Sequence, residues 1–113
     1  MKKLQKKVSQ FSQENNMLAP IEHRVLDAVS ELGEVAKEIL KMTDYGKKQL
    51  EYNSDIKGEL GDVFYSLIGI ANHFDIDLEE ALNQVLEKYK IQVKYLSYMA
   101  LEEIKWWLDN IFP

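Results

Sequence analysis

Between Gly69 and Pro113 the chain has neither glycine nor proline, and the rest of its 113 residues holds only Pro20 and five scattered glycines. Breakers this sparse, with no stretch of period-2 alternation, leave long helices as the natural local state. The expected fold is therefore all-α: an antiparallel bundle of four to five helices, completed by oligomerisation. One helix is expected over 2–16, stopped by Asn15-Asn16, and a second over 20–42, with Pro20 in its first turn. A third is expected over 54–74, capped by Asn53 or Ser54. Asp77-Leu78-Glu79-Glu80 opens a fourth, which runs on or bends into a fifth near Tyr95 to Met99.

Two apolar stripes at helical spacing predict the core. Val25, Val29, Leu32, Ala36 and Ile39 mark the second helix, and Leu60, Phe64, Leu67, Ala71 and Phe74 mark the third. Leu4, Val8 and Phe11 form the matching stripe of the first. The segment 44–53 is the loop that sets the second and third helices side by side and antiparallel.

Composition narrows the function classes. The chain has no cysteine, so disulfides, thiolate nucleophiles and Cys-based zinc sites are excluded together, and a reducing cytoplasmic setting is expected. Net charge is −5 with Arg24 the sole arginine, which argues against a nucleic-acid polymer as partner. The basic start of the chain is followed by no apolar run, and the apolar stretch 63–74 is too short and too polar to span a membrane.

Glu31-Leu32-Gly33-Glu34-Val35 returns 28 residues later as Glu59-Leu60-Gly61-Asp62-Val63. On a helix each copy sets two carboxylates about one turn apart on one side. At about 1.5 Å per residue, the first pair lies roughly 12–18 Å before the loop and the second roughly 8–13 Å after it, so the pairs come level. Antiparallel running sets Glu31 nearest Asp62 and Glu34 nearest Glu59. Acids at this spacing also decorate ordinary wet helix faces. Three features favour a site: Ser66, Gly69 and His73 share the acidic side of the third helix; Gly33 and Gly61 invite a close approach of another helix or a ligand; Glu31 and Asp62 have no lysine or arginine one turn away. Four pooled carboxylates repel one another unless a divalent cation sits among them. A di-iron site needs Glu-x-x-His on two helices, whereas Pro20 precedes His23 and Ile70 precedes His73 at that spacing. All-oxygen ligation favours Mg²⁺, with Mn²⁺ possible.

The ordered pair Glu-x-x-Glu and Glu-x-x-Asp, in the phrases 31–38, 58–67 and 75–82, resembles the MazG-like nucleoside triphosphate pyrophosphohydrolases over about residues 4–90. The resemblance implies hydrolysis of (d)NTP to (d)NMP and pyrophosphate by a homodimer or dimer of dimers, with Mg²⁺ held by Glu31, Glu34, Glu59 and Asp62. Glu38, one turn beyond Glu34, is the candidate catalytic carboxylate, with a salt bridge to Lys41 as its plainer role. Lys41, Lys88 and Phe11 are candidate substrate contacts, the family's nucleoside pocket drawing on the first helix and the turn after it. Phosphoribosyl-ATP pyrophosphohydrolase and a non-catalytic helical oligomerisation module are the alternatives. The expected organisation is a helical domain over 1–94 and an extension over 95–113. In the extension Trp106 and Trp107, too large for so small a domain to bury alone, suggest an oligomer contact or a cover over the bundle.

Overall fold

The computed structural model describes residues 1–111; positions 112–113, the end of the expected extension, lie outside the described residues. Four helices account for them: α1 (Lys2–Glu14), α2 (Ile21–Met42), α3 (Asp55–His73) and α4 (Leu78–Ile111). The expectation of an all-α chain holds, and α4 continues through 95–99 without a break, as a segment lacking glycine and proline should. None of the described helices is long and apolar enough to cross a membrane.

The helix ends follow local chemistry. Asn16 and Asp75 adopt left-handed backbone after α1 and α3, a conformation that Asn and Asp tolerate better than most residues. The amides of Met17 and Ile76 then close on the carbonyls of Ser12 and Ala71 at 2.8 and 2.9 Å. At the start of α3 the cap is Asn53, whose Oδ1 accepts from the Asp55 amide at 2.9 Å; Ser54 makes no side-chain cap.

The chain divides into two compact units, Met1–Leu78 and a second from Glu79 onward that contains the rest of α4. In the first, α2 and α3 form an antiparallel hairpin: Arg24 packs on Gly69, and Glu31 meets Asp62. Its seam is not the one the apolar stripes predict. The side chains buried on α2 are Arg24, Val35, Glu38 and Met42, and those on α3 are Ser66, Ile68 and Ala71. Val29 and Leu32 stand 67% and 60% exposed, Leu60 and Phe64 53% and 42%. Of the two stripes, only Ala71 is buried. By helical phase both stripes lie on one side of the hairpin, and Glu34 and Asp62 on the other.

Polar bonds attach α1 to this hairpin. The Gln5 amide donates to Asn72 Oδ1 (3.1 Å) and the Ile76 carbonyl (2.6 Å), Gln5 Oε1 accepts from the Leu78 amide (2.9 Å), and Asn72 Nδ2 donates back to the Gln5 carbonyl (2.9 Å). Farther along, the Ser12 and Tyr65 hydroxyls share a 2.6 Å bond. Ile68, 2% exposed, is the most deeply buried side chain. Ile68→Ala is expected to cost about 2–5 kcal/mol in urea unfolding, as deletions at tightly packed sites do. A loss below about 1 kcal/mol would mean that this site is not packed as described.

Candidate metal centre

Glu31, Glu59 and Asp62 each present a carboxylate oxygen within 4.8 Å of the others, which joins both copies of the repeated acidic motif across the α2–α3 seam. Glu31 and Glu59 are half-buried and Asp62 is exposed, so the group sits at the edge of the seam. The helical period makes this possible: Glu31, Val35 and Glu38 fall on one line of α2, and Glu59, Val63 and Ser66 on one line of α3. Acids and apolar residues thus alternate along a single contact.

Glu34 is exposed and lies outside the close trio, one turn nearer the loop. Its charge still reaches the site. The Glu59 carboxyl is raised above its ordinary value of 4.5, first by burial, then by the carboxylates of Glu34, Asp62, Glu31 and Glu38. Among the described residues none of Glu31, Glu34, Glu59 and Asp62 forms an ion pair with a lysine, arginine or histidine. The donor set is all oxygen, its charge is uncompensated by the chain, and it opens to solvent at Asp62. These properties fit a hard divalent cation such as Mg²⁺.

Glu38 is buried and pairs with Lys41, Nζ to Oε1 at 3.4 Å, so the salt bridge weighed as its plainer role is present. Lys88 lies in the second unit, exposed, its ammonium 5.3 Å from the Tyr89 ring. Phe11 is 48% exposed rather than core, and meets Tyr65 edge-on at 6.5 Å. Gly33 and Gly61 admit no close neighbour: a Cβ at either would find nothing within 4 Å, because both face away from the seam. The glycine that does permit a close approach is Gly69, where a Cβ would stand 3.0 Å from Arg24 Cδ and Nε.

Arg24 itself went unassigned in the sequence. Its guanidinium donates to the Met17 carbonyl at 2.7 Å and stands 5.4 Å from the Tyr65 ring. The signal was there, as the sole arginine, on the α2 line that also holds Glu31 and Glu38. Arg24 borders a cleft of about 170 Å³, lined also by Val8, Ser9, Ser12, Asn72 and His73, between α1, the start of α2 and the end of α3. Phe11 is not among its lining residues.

Comparison with known proteins gives the family. Residues 22–96 match the model of the MazG nucleotide pyrophosphohydrolase domain. Among curated proteins, the chain is 38% identical to Bacillus subtilis YpjD over 65 residues, 57% of this chain and 59% of that protein. It is 31% identical to B. subtilis YabN over 52 residues, 46% of this chain and 11% of that protein. The alignments thus span less than two thirds of either relative. Among solved structures, the fold is similar to the Bacillus-conserved MazG protein, a nucleotide pyrophosphohydrolase, with TM-score 0.65 and 31% identity over 78% of this chain and 86% of that one. It is also similar to the crystal structure of B. subtilis YpjD, with TM-score 0.63 and 33% identity over 79% and 91% of the two chains. The matched span takes in α2 from its second residue, α3, the first part of α4 and both copies of the acidic motif, and it covers more than half of the chain: the chain belongs to the MazG nucleotide pyrophosphohydrolase family.

Proposed function

We propose that the protein hydrolyses nucleoside triphosphates to the monophosphate and pyrophosphate, using Mg²⁺ held by Glu31, Glu59 and Asp62 with Glu34 as the fourth acid. The observation that carries this reading is the convergence of both acidic motifs on one point of the hairpin, with no ion pair to these acids among the described residues. When bound, the metal supplies charge neutralisation for the phosphate oxygens and an acidified water. Glu31, Glu59 and Asp62, with Glu34 one turn away, would hold it at the seam's edge, where the exposed Asp62 leaves an approach from solvent. Glu38, held by Lys41, is the proposed group to take the water's proton. The cleft beside Arg24 lies about two helical turns from Glu31, roughly 10 Å along α2, and is the proposed seat of the nucleoside. The direct test is a panel of NTPs and dNTPs, with phosphoribosyl-ATP included. Release of pyrophosphate and monophosphate from at least one, only with a divalent ion, is the expected result. Silence across the panel would end the enzymatic reading.

Linkage gives a second test that needs no substrate. The raised carboxyl of Glu59 keeps its proton to a higher pH in the metal-free folded protein than in the unfolded chain. Its contribution to folding is therefore fullest below about 4.5 and is lost as pH rises through the folded value. Mg²⁺ needs the ionised form and stabilises by mass action. Melting curves with and without Mg²⁺ are expected to converge in acid and separate as pH rises. Curves that coincide at every pH would favour a catalytically silent helical module.

The same reading has the protein work as a homodimer or dimer of dimers. The support is the exposed apolar side of the hairpin, which includes Val29, Leu32, Leu60 and Phe64. Two such sides facing each other make a four-helix bundle.

A further inference from the structure

α4 is 34 residues long and none of its residues is buried. From Leu78 its sequence advances by 4, 3 and 4 residues, three times over, to Ile111, and every landing is apolar. Eleven residues make just over three helical turns, so this pattern holds one nearly straight apolar seam along the whole helix. The second half of it lies beyond residue 96, where the family match stops. We propose that this seam pairs with its own counterpart in a second copy of the chain, antiparallel, with the two helices crossing at Ala100.

Three observations select that occupant and direction. Between Tyr89 and Ile111 the steps read the same from either end about Ala100. Reversal therefore sets Tyr89 opposite Ile111, Val93 opposite Trp107 and Leu96 opposite Ile104, each layer filling itself with unlike shapes. In-register parallel pairing would instead stack Trp107 on Trp107 and Tyr89 on Tyr89. The residue at the crossing is the small Ala100, which lets the backbones approach. Charge points the same way: the segment 89–99 carries Lys90 and Lys94, net +2, and the segment 101–111 carries Glu102, Glu103 and Asp109 against Lys105, net −2. Antiparallel pairing puts +2 beside −2 twice, whereas parallel pairing sets like against like. The antiparallel helix dipoles add to the preference. None of this depends on the proposed activity.

The chain has no cysteine, so single substitutions report the register directly. Full-length Ala100→Cys under mild oxidation is expected to run mainly at twice the 13.2 kDa chain mass on a non-reducing gel. Glu102→Cys, on the opposite side of the helix, is expected to stay at the single-chain mass. Tyr89→Cys and Ile111→Cys should each stay single alone and link when mixed. Mixing Leu96→Cys with Ile104→Cys repeats the test one layer nearer the crossing, should a terminal variant misfold. Self-linking at 89 or at 111 would establish parallel pairing and overturn the proposal. So would an Ala100→Cys protein that does not link, or one that links no better than Glu102→Cys.

Discussion

Glu59→Gln and Asp62→Asn are each expected to lower pyrophosphate release by on the order of a hundredfold or more, while the metal-free protein melts higher than the parent. The two effects have one cause. In the absence of metal the Glu59 carboxyl is raised first by burial and then by the carboxylates around it, so removing a charge relaxes the fold. With metal, the same charge is a ligand, and its loss leaves the cation under-coordinated. Glu34→Gln is expected to fall as far as the others, because the reading makes it the fourth acid although it stands outside the close trio. The measurement pairs steady-state pyrophosphate release with melting curves in chelator. A variant at Glu59 or Asp62 that keeps activity within a few fold would remove the metal-centre assignment. An inactive variant that also melts lower in chelator would point instead to a structural role.

Leu32→Asp is expected to halve the mass of the assembly in sedimentation at micromolar concentration, while leaving the α2–α3 seam intact. Leu32 is 60% exposed in the single chain, and the apolar side it shares with Val29, Leu60 and Phe64 has no cover within residues 1–78. Burying a leucine contributes about 1.5–3 kcal/mol, and a two-fold contact loses it twice. Adding a desolvated carboxylate on each side makes the expected loss of association at least about a hundredfold. The comparison is made with Ala100→Asp present in both proteins, so that the α4 pairing proposed above holds no chains together and the hairpin contact is the one read. An unchanged sedimentation coefficient would show that the hairpin's apolar side is not an interface.

The acidic substitutions and Leu32→Asp sit on different sides of one hairpin, and the sequence identifies those sides unequally. The acidic motifs announced themselves as a repeat, and the register that levels Glu31 with Asp62 follows from the position of one loop. The apolar stripes were just as visible, yet they do not form the seam. Helical periodicity records which residues share a side; it does not record what that side meets. Val25, Val29 and Leu32 satisfy the pattern of a core whether the other half comes from the same chain or another.

Arg24 and Gln5 show the complementary gap. Each makes bonds to residues distant in sequence, Gln5 to Asn72 and Ile76, Arg24 onto Tyr65 and against Gly69. Single polar side chains have no period: Arg24 stands out in the chain only as the sole arginine, and nothing distinguishes Gln5 from wet surface. Gly33 and Gly61 erred the other way: their place inside the motif suggested a close approach, but the seam passes on the far side of both helices.

The sequence by itself determined the all-helical fold, the hairpin that levels the two acidic motifs, and the oxygen-only chemistry of the residues on it. Breakers, caps and charge are local properties that a chain carries whether folded or not. Only the tertiary structure decided which side of the hairpin closes on itself, and therefore that Glu31, Glu59 and Asp62 meet at its seam while the leucines stay outside. That choice depends on Arg24 fitting over Gly69 and on α1 attaching through Gln5, contacts between residues separated by dozens of positions. Their energies exist only once the helices are in place.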